Sequence, residues 1–343
     1  MRNYEVQTQI PNKSLSGPGS ALISPPLSNP SKPLFSGVVL DYAQLYAKPH
    51  NSTSKPFNFL PACSMGFVKG ECEGGHHFAK LLLCGKEWCP DCGKDGSAVH
   101  KRRIARWWGK VMSMPEMGYL VITTPKEVRE SFKNKAVLSA FRTYVKRYLQ
   151  RMGYDKGLVR YHWAGDDGKI WHPHLNILIE EGFLSKNKMS ALKRDLATWF
   201  KEMFPTSLKG KKPKINAWYS YANPKAEGFE RHKIHKLKYI LRSTLTKIDP
   251  KRNAKDKELA RILKGFRTTS TWGKWDKDKE NTSELAALVS GNCPHKECGK
   301  RLKWEGGRDN VVKANNPAWS RIILKPIDGG YYEIKGVLPD PPG

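Results

Sequence analysis

The run Trp171-His172-Pro173-His174-Leu175-Asn176-Ile177-Leu178-Ile179 concentrates the chemistry of this chain. In an extended strand, side chains two residues apart share a face. His172, His174 and Asn176 then line one face. Pro173, Leu175, Ile177 and Ile179 line the other, which suits a buried core. Two imidazoles at i and i+2 point the same way and can grip one divalent cation. The competing reading is a core strand that carries two histidines for packing alone. Pro173 has no N–H for a ladder bond, which places it near the strand's start or at an edge.

A second concentration is in cysteine. Cys89-Pro90-Asp91-Cys92-Gly93 makes a turn that can aim two thiolates at one tetrahedral ion, and Cys84 lies five residues earlier. Cys63, Cys72, His76 and His77 compete for the fourth position. The expectation is a structural Zn2+ held by Cys84, Cys89, Cys92 and Cys72, against the alternative of a redox pair or free core thiols. Cys293-Pro294-His295-Lys296-Glu297-Cys298-Gly299 looks like half a zinc ribbon and could share that ion with Cys89 and Cys92. Seven cysteines, most at metal-like spacings, argue for a reducing compartment.

These groups need elements to hold them. Apolar spacing predicts strands over 118–124, 158–163, 171–179 and 215–221, and amphipathic helices over 131–152 and 186–204. Asp166-Asp167-Gly168 turns the second strand into the histidine strand, which brings His162 near the metal face. His162 is the expected third ligand, with Asp166, Asp167 and Glu180 as fallbacks. A helix around Lys238-Tyr239-Ile240-Leu241-Arg242 carries an apolar stripe of Ile234, Leu237, Leu241 and Leu245. Tyr239 falls about 140° from that stripe at about 100° per residue. Tyr144 and Tyr148 lie on the apolar stripe of their own helix and read as core. On the tyrosine helix, Arg242 could hold a phosphate oxygen bidentately, and His235 is a further candidate ligand or proton acceptor. Tyr219 and Tyr221 are the next candidate nucleophiles.

The chain of 343 residues carries 60 Lys and Arg against 32 Asp and Glu, a net charge of +28. Such an excess suits a polyanionic partner. Eleven tryptophans and thirteen tyrosines among the cations suit unstacked bases on single strands. Arg102, Arg103, Arg106 and Lys110 on a basic helix over 97–114, with Lys236 and Lys238 on the tyrosine helix, are the expected DNA contacts. A solvated face is the alternative. No run of eighteen apolar residues exists, so no membrane span is expected, and the expected place is the cytoplasm, in a bacterial host.

Three stretches together carry a family resemblance. His172-Pro173-His174 before an apolar strand resembles the histidine-hydrophobic-histidine motif of HUH single-strand endonucleases. Gly118-Tyr119-Leu120-Val121-Ile122-Thr123-Thr124-Pro125 resembles their first motif. Lys238-Tyr239-Ile240-Leu241-Arg242 resembles the tyrosine helix, with arginine where the family usually has lysine. The resemblance covers roughly residues 118 to 275. It implies an α+β fold, an antiparallel sheet with helices packed on one face, beside a small cysteine-rich zinc-binding element. It also implies a rolling-circle replication initiator of a plasmid or small phage. Tyr239 would nick one strand of origin DNA, keep the 5′ phosphate and leave a 3′ hydroxyl for host polymerase, with Mg2+ or Mn2+ at His172, His174 and His162. The chain has no helicase motif, so unwinding would fall to a host helicase. An HUH transposase or relaxase is the alternative of the same chemistry. A non-catalytic zinc-containing single-strand binder is the alternative of another class. The expected division is a disordered segment over 1–55, a zinc element and basic helix over 56–114, the endonuclease domain over 115–285 and an extension over 286–343.

Overall fold

The structure, a computed structural model, describes residues 66–85, 89, 91–93, 95–164, 171–180, 183–242, 262–275, 282–305, 312–313 and 322–337. The segment 1–55, Cys63, the turn at Asp166-Asp167-Gly168 and Leu245 lie outside the described residues.

The described residues form an α+β fold with two antiparallel sheets. The first is built from β3 (Met117–Thr123), β4 (Gly157–Ala164), β5 (Trp171–Glu180), β6 (Ala217–Ala222) and β7 (Thr269–Trp272), in the order β6-β3-β5-β4-β7. The histidine strand β5 is central. Its residues from Pro173 to Ile179 are all buried, as a strand covered on both faces requires.

Helices cover both faces. On one, Leu120, Ile122, Val159, Tyr161, Leu175, Ile177 and Ile179 pack against α2 (Lys135–Arg151) and α3 (Lys186–Met203). On the other, Tyr119, Leu158 and Leu178 meet α1 (Ala98–Met112), through Val111, and α5 (Phe229–Leu241), through Leu237, Ile240 and Leu241. The expectation of helices on one face is corrected on this point. Alternation in the strands gives both faces large apolar residues, and each needs a cover.

Local signals set the helix ends. The Ser97 and Ser185 hydroxyls accept the His100 and Lys188 N–H groups at the starts of α1 and α3. Asn134 caps α2 by accepting from the Ala136 N–H, so α2 begins after a 3-10 segment, Lys126–Lys133, rather than at 131. Gly153, at φ 89°, ends it. A short turn of helix, α4 (Pro205–Leu208), follows α3.

The second sheet joins residues far apart in the chain. β1 (Gly66–Cys72) and β2 (His77–Leu81) form a hairpin. β8 (Leu302–Trp304) and β9 (Val312–Lys313) pair with β1, and β11 (Tyr331–Val337) pairs with β2 and with β10 (Ile322–Pro326). The cysteine-rich element and the extension, separate in the sequence-based division, therefore share one sheet. Between β7 and β8 lies α6 (Glu284–Ser290). Among the described residues no helix is long and apolar enough to cross a membrane.

Candidate active site

Strand pairing assembles one row of polar side chains on the central strand. On β5, Leu175, Ile177 and Ile179 enter the core beneath α2 and α3, so His172, His174 and Asn176 face α5, as period-two alternation requires. In register, His162 lies opposite His174, and Arg160 opposite Asn176. From the other neighbour, Thr123 faces His174 and Val121 faces Asn176. The pairing of β4 with β5 shifts between His162 and Ala164, so His172 and Pro173 together oppose Trp163. A bulge of this kind tolerates a residue without an N–H, which is how a proline sits in a central strand. The Pro173 carbonyl still accepts from the Thr124 N–H at 3.3 Å and from its hydroxyl at 2.8 Å.

The helix α5 brings Tyr239 onto this row. Its ring is half-buried, with its centroid 5.8 Å from that of His162 and 6.1 Å from that of Tyr119. Lys233, Leu237, Ile240 and Leu241 are the buried residues of α5, while Ile234 is only half-buried. The stripe is thus rotated toward Tyr239 relative to the expected one. The Arg242 guanidinium stacks over the Tyr239 ring at 3.9 Å from its centroid, at the residue where the helix ends.

Three buried side chains hold α5. A helix leaves its last four carbonyls without partners in the helix itself. His162 Nε2 donates to the Ile240 carbonyl at 3.0 Å, and His100 Nε2, from α1, donates to the Lys238 carbonyl at 3.1 Å. Lys233 Nζ donates to the Met112 and Met114 carbonyls at 2.9 and 3.1 Å, which ties α5 to the end of α1.

These bonds fix the tautomer, and burial fixes the charge. Burial, then the neighbouring His174, holds the fully buried His162 well below the ordinary histidine range, so its ring is neutral. With Nε2–H on a carbonyl, Nδ1 carries the lone pair, and this atom has no hydrogen-bond partner among the described residues. His174 donates Nδ1–H to the His172 carbonyl at 2.8 Å, which leaves Nε2 as its basic nitrogen. A ring N–H held by a backbone carbonyl is a usual arrangement of a metal-ligating histidine. The His174 ring centroid is 5.3 Å from that of His162 and 5.5 Å from that of His172. In donor type the three histidines fit a divalent cation. Among the described residues, however, they are not a group whose ligand atoms all lie within 4.8 Å of one another.

Other expected residues stand elsewhere. Glu180 pairs with Lys156 at 2.8 Å at the far end of β5, and His235 is exposed. The Tyr219 hydroxyl accepts the Leu184 N–H at 3.1 Å, and burial pushes its pKa up to about 12, which makes it a poor nucleophile. Of the expected DNA contacts, Arg106 and Lys238 are exposed and Lys110 is half-buried. Lys236 lies over the rings of Tyr119 and Trp218 at 4.9 and 5.1 Å. Arg103 donates to the Gly85 carbonyl at 3.0 Å. Arg102 is engaged by the fold itself. It donates to the carbonyls of Leu81, Gly329 and Gly330 at 3.0, 2.6 and 3.3 Å, because α1 lies against the β10–β11 turn.

Residues that sequence reasoning missed include Arg160, 2% exposed, whose Nη1 donates to the Thr268 and Thr269 hydroxyls. Tyr119 donates its hydroxyl to Asn176 Oδ1, and Asn176 Nδ2 has no partner among the described residues. The alternation of β3 and β4 with β5 was the signal for both.

The cysteines separate into two groups of ligand atoms, each of which could hold a metal ion. Cys84, Cys89 and Cys92 come together, with the Cys84 and Cys92 sulfurs 3.7 Å apart. Cys72 does not join them, and this corrects the expected fourth ligand. It closes with His76, Cys293 and Cys298 instead, so the latter two do not share an ion with Cys89 and Cys92. Cys63 lies outside the described residues, and His77 is exposed beside Glu71. Comparison with family models, with curated proteins and with solved structures finds no match to this chain.

Proposed function

We propose that this chain is a metal-dependent, site-specific single-strand DNA endonuclease of HUH type that initiates rolling-circle replication, with Tyr239 as its nucleophile. The observation that carries the reading is the meeting of His162, His172 and His174 with Tyr239 on one sheet face, with Arg242 on the Tyr239 ring. The Tyr239 phenol would attack the scissile phosphodiester and lose its proton. The bond from phosphorus to the 3′ oxygen would break, leaving a 3′ hydroxyl and a 5′ phosphate on tyrosine. A phenol of ordinary pKa about 10 needs nearby positive charge to react at neutral pH. Arg242 supplies it at the ring. His162, His172 and His174 would hold Mg2+ or Mn2+, which supplies charge neutralisation at the scissile phosphate. Imidazole ligands favour Mn2+. The net charge of +28 suits the DNA partner. Cys84, Cys89 and Cys92 would hold a structural Zn2+, since thiolates select zinc over harder ions.

The test is an oligonucleotide cleavage assay on candidate origins with Mg2+ or Mn2+. Wild type should form a covalent adduct with the fragment whose 5′ phosphate lies at the nick, and release the other with a 3′ hydroxyl. Tyr239→Phe should bind the same DNA and form none, and His174→Ala should bind and leave it uncut. An adduct on another tyrosine, or full cleavage by His174→Ala in Mn2+, sinks the assignment. Binding without any cleavage favours the non-catalytic alternative.

A further inference from the structure

We infer that Cys72, His76, Cys293 and Cys298 form a second zinc site, a three-thiolate, one-imidazole clasp that fastens the hairpin β1–β2 to the segment after α6. This site stands apart from the proposed nicking chemistry and does not depend on it.

The spacing of the ligand atoms carries the inference. In a tetrahedral zinc site with Zn–S about 2.3 Å and Zn–N about 2.0–2.1 Å, sulfurs lie about 3.8 Å apart, and sulfur lies about 3.5 Å from nitrogen. The sulfurs of Cys72 and Cys298 are 3.6 Å apart. His76 Nδ1 is 3.3 Å from the Cys72 sulfur and 3.5 Å from the Cys293 sulfur. All four ligand atoms lie within 4.8 Å of one another. A disulfide would need its sulfurs at about 2.05 Å, and these are well short of that contact.

Backbone geometry supports the same site. Cys72 ends β1, and His76 follows a tight turn in which the Gly75 N–H donates to the Cys72 carbonyl at 2.9 Å. Opposite it, the His295 carbonyl accepts from the N–H groups of Cys298 and Gly299, both at 3.0 Å, so Cys293 and Cys298 flank a knuckle. A Cβ on Gly74 would stand 2.7 Å from the Cys298 sulfur, so only glycine lets the two turns close. Beside the ligands, the His295 ring packs edge-on against that of His76 at 4.1 Å and reaches Glu333 on β11 at 3.1 Å. The His295 ring, held by Glu333, thus packs directly against the His76 imidazole.

The chemistry selects the ion. Three soft sulfur donors and one imidazole favour zinc over Mg2+ or Mn2+. All four positions are filled by protein, which makes the site structural. On binding, the three thiols release their protons and His76 binds as the neutral ring. The Cys72 end and the Cys293 end are 221 residues apart in sequence, so the clasp closes a long loop.

The experiment uses the full-length protein and counts zinc by elemental analysis after dialysis. Cys293→Ser/Cys298→Ser should carry one zinc ion per chain fewer than the unsubstituted protein. Gly74→Ala should lose the same ion. Should these variants fail to fold, thiol footprinting of the unsubstituted protein still decides. Cys72, Cys293 and Cys298 should resist iodoacetamide in the native protein and become reactive together after a zinc chelator. Unchanged zinc in the folded double variant would overturn the inference. So would alkylation of Cys293 and Cys298 in the native, zinc-loaded protein, or a disulfide between Cys72 and Cys298.

Discussion

Lys233 gives the sharpest test of how the tyrosine helix is held. By sequence it is one more cation on a basic helix. In the structure its side chain is 2% exposed, and its ammonium spans the carbonyls of Met112 and Met114, with Glu230 at 3.6 Å. Lys233→Met keeps most of the apolar stem and removes both bonds. Two buried carbonyls without partners cost about 1–3 kcal/mol each. Relief from burying an ammonium offsets part of this, which leaves a net destabilisation of about 2–3 kcal/mol. With a urea slope of about 1–3 kcal/mol/M, the midpoint should fall by about 0.7–3 M at unchanged slope. Tryptophan fluorescence during urea unfolding measures it. If the midpoint moves by less than about 0.2 M while DNA affinity and its salt dependence both drop, Lys233 is a phosphate contact and the reasoning is wrong.

Arg106→Ala should weaken DNA binding and reduce the slope of log affinity against log salt by about 1. Arg102→Ala should leave that slope unchanged and lower stability, because its guanidinium serves the carbonyls of Leu81, Gly329 and Gly330. Trp218, 51% exposed beside the Lys236 ammonium, should stack on a base; Trp218→Ala should weaken single-strand binding by about 1–3 kcal/mol in a fluorescence titration. Stability should also fall in acid. His162 is held well below its ordinary 6.5 by burial, so the unfolded chain takes up the extra proton. Its contribution is complete above about pH 6.5 and is lost as pH drops further, by up to about 1.4 kcal/mol per pH unit. Urea midpoints at about pH 7.5 and about pH 5.5 measure this, and His162→Gln should narrow the gap between them.

Much of the first sheet is legible from pattern. Alternation along 171–179 assigns the two faces of β5 correctly, since a period of two leaves no freedom once one face is buried. The bulge beside Pro173 is not legible, because it depends on the register with β4. Cys72 shows a different limit. Spacing pairs it with the nearest cysteines, whereas strand pairing carries it to partners more than two hundred residues later. Arg102 and Lys233 look like solvated cations in a basic run. Their bonds to backbone carbonyls come from helix packing, which charge patterning does not encode. The neutral state of His162 likewise follows from its burial, with His174 opposite it on the neighbouring strand, which only the folded pairing creates.

The joining of residues 66–81 and 302–337 in one sheet sets an order of events during synthesis. Every strand of the first sheet has left the ribosome once Trp272 has emerged, and the tyrosine helix comes earlier still. The hairpin β1–β2 is made first of all, yet it waits with both outer edges unpaired until β8 and β11 arrive. Unpaired edges invite pairing with other chains. Non-local partners arrive late and fold slowly. A nascent chain of this protein therefore carries its exposed strand edges from Leu81 until Leu302 is made, and that interval is where a chaperone or a neighbouring copy would capture it.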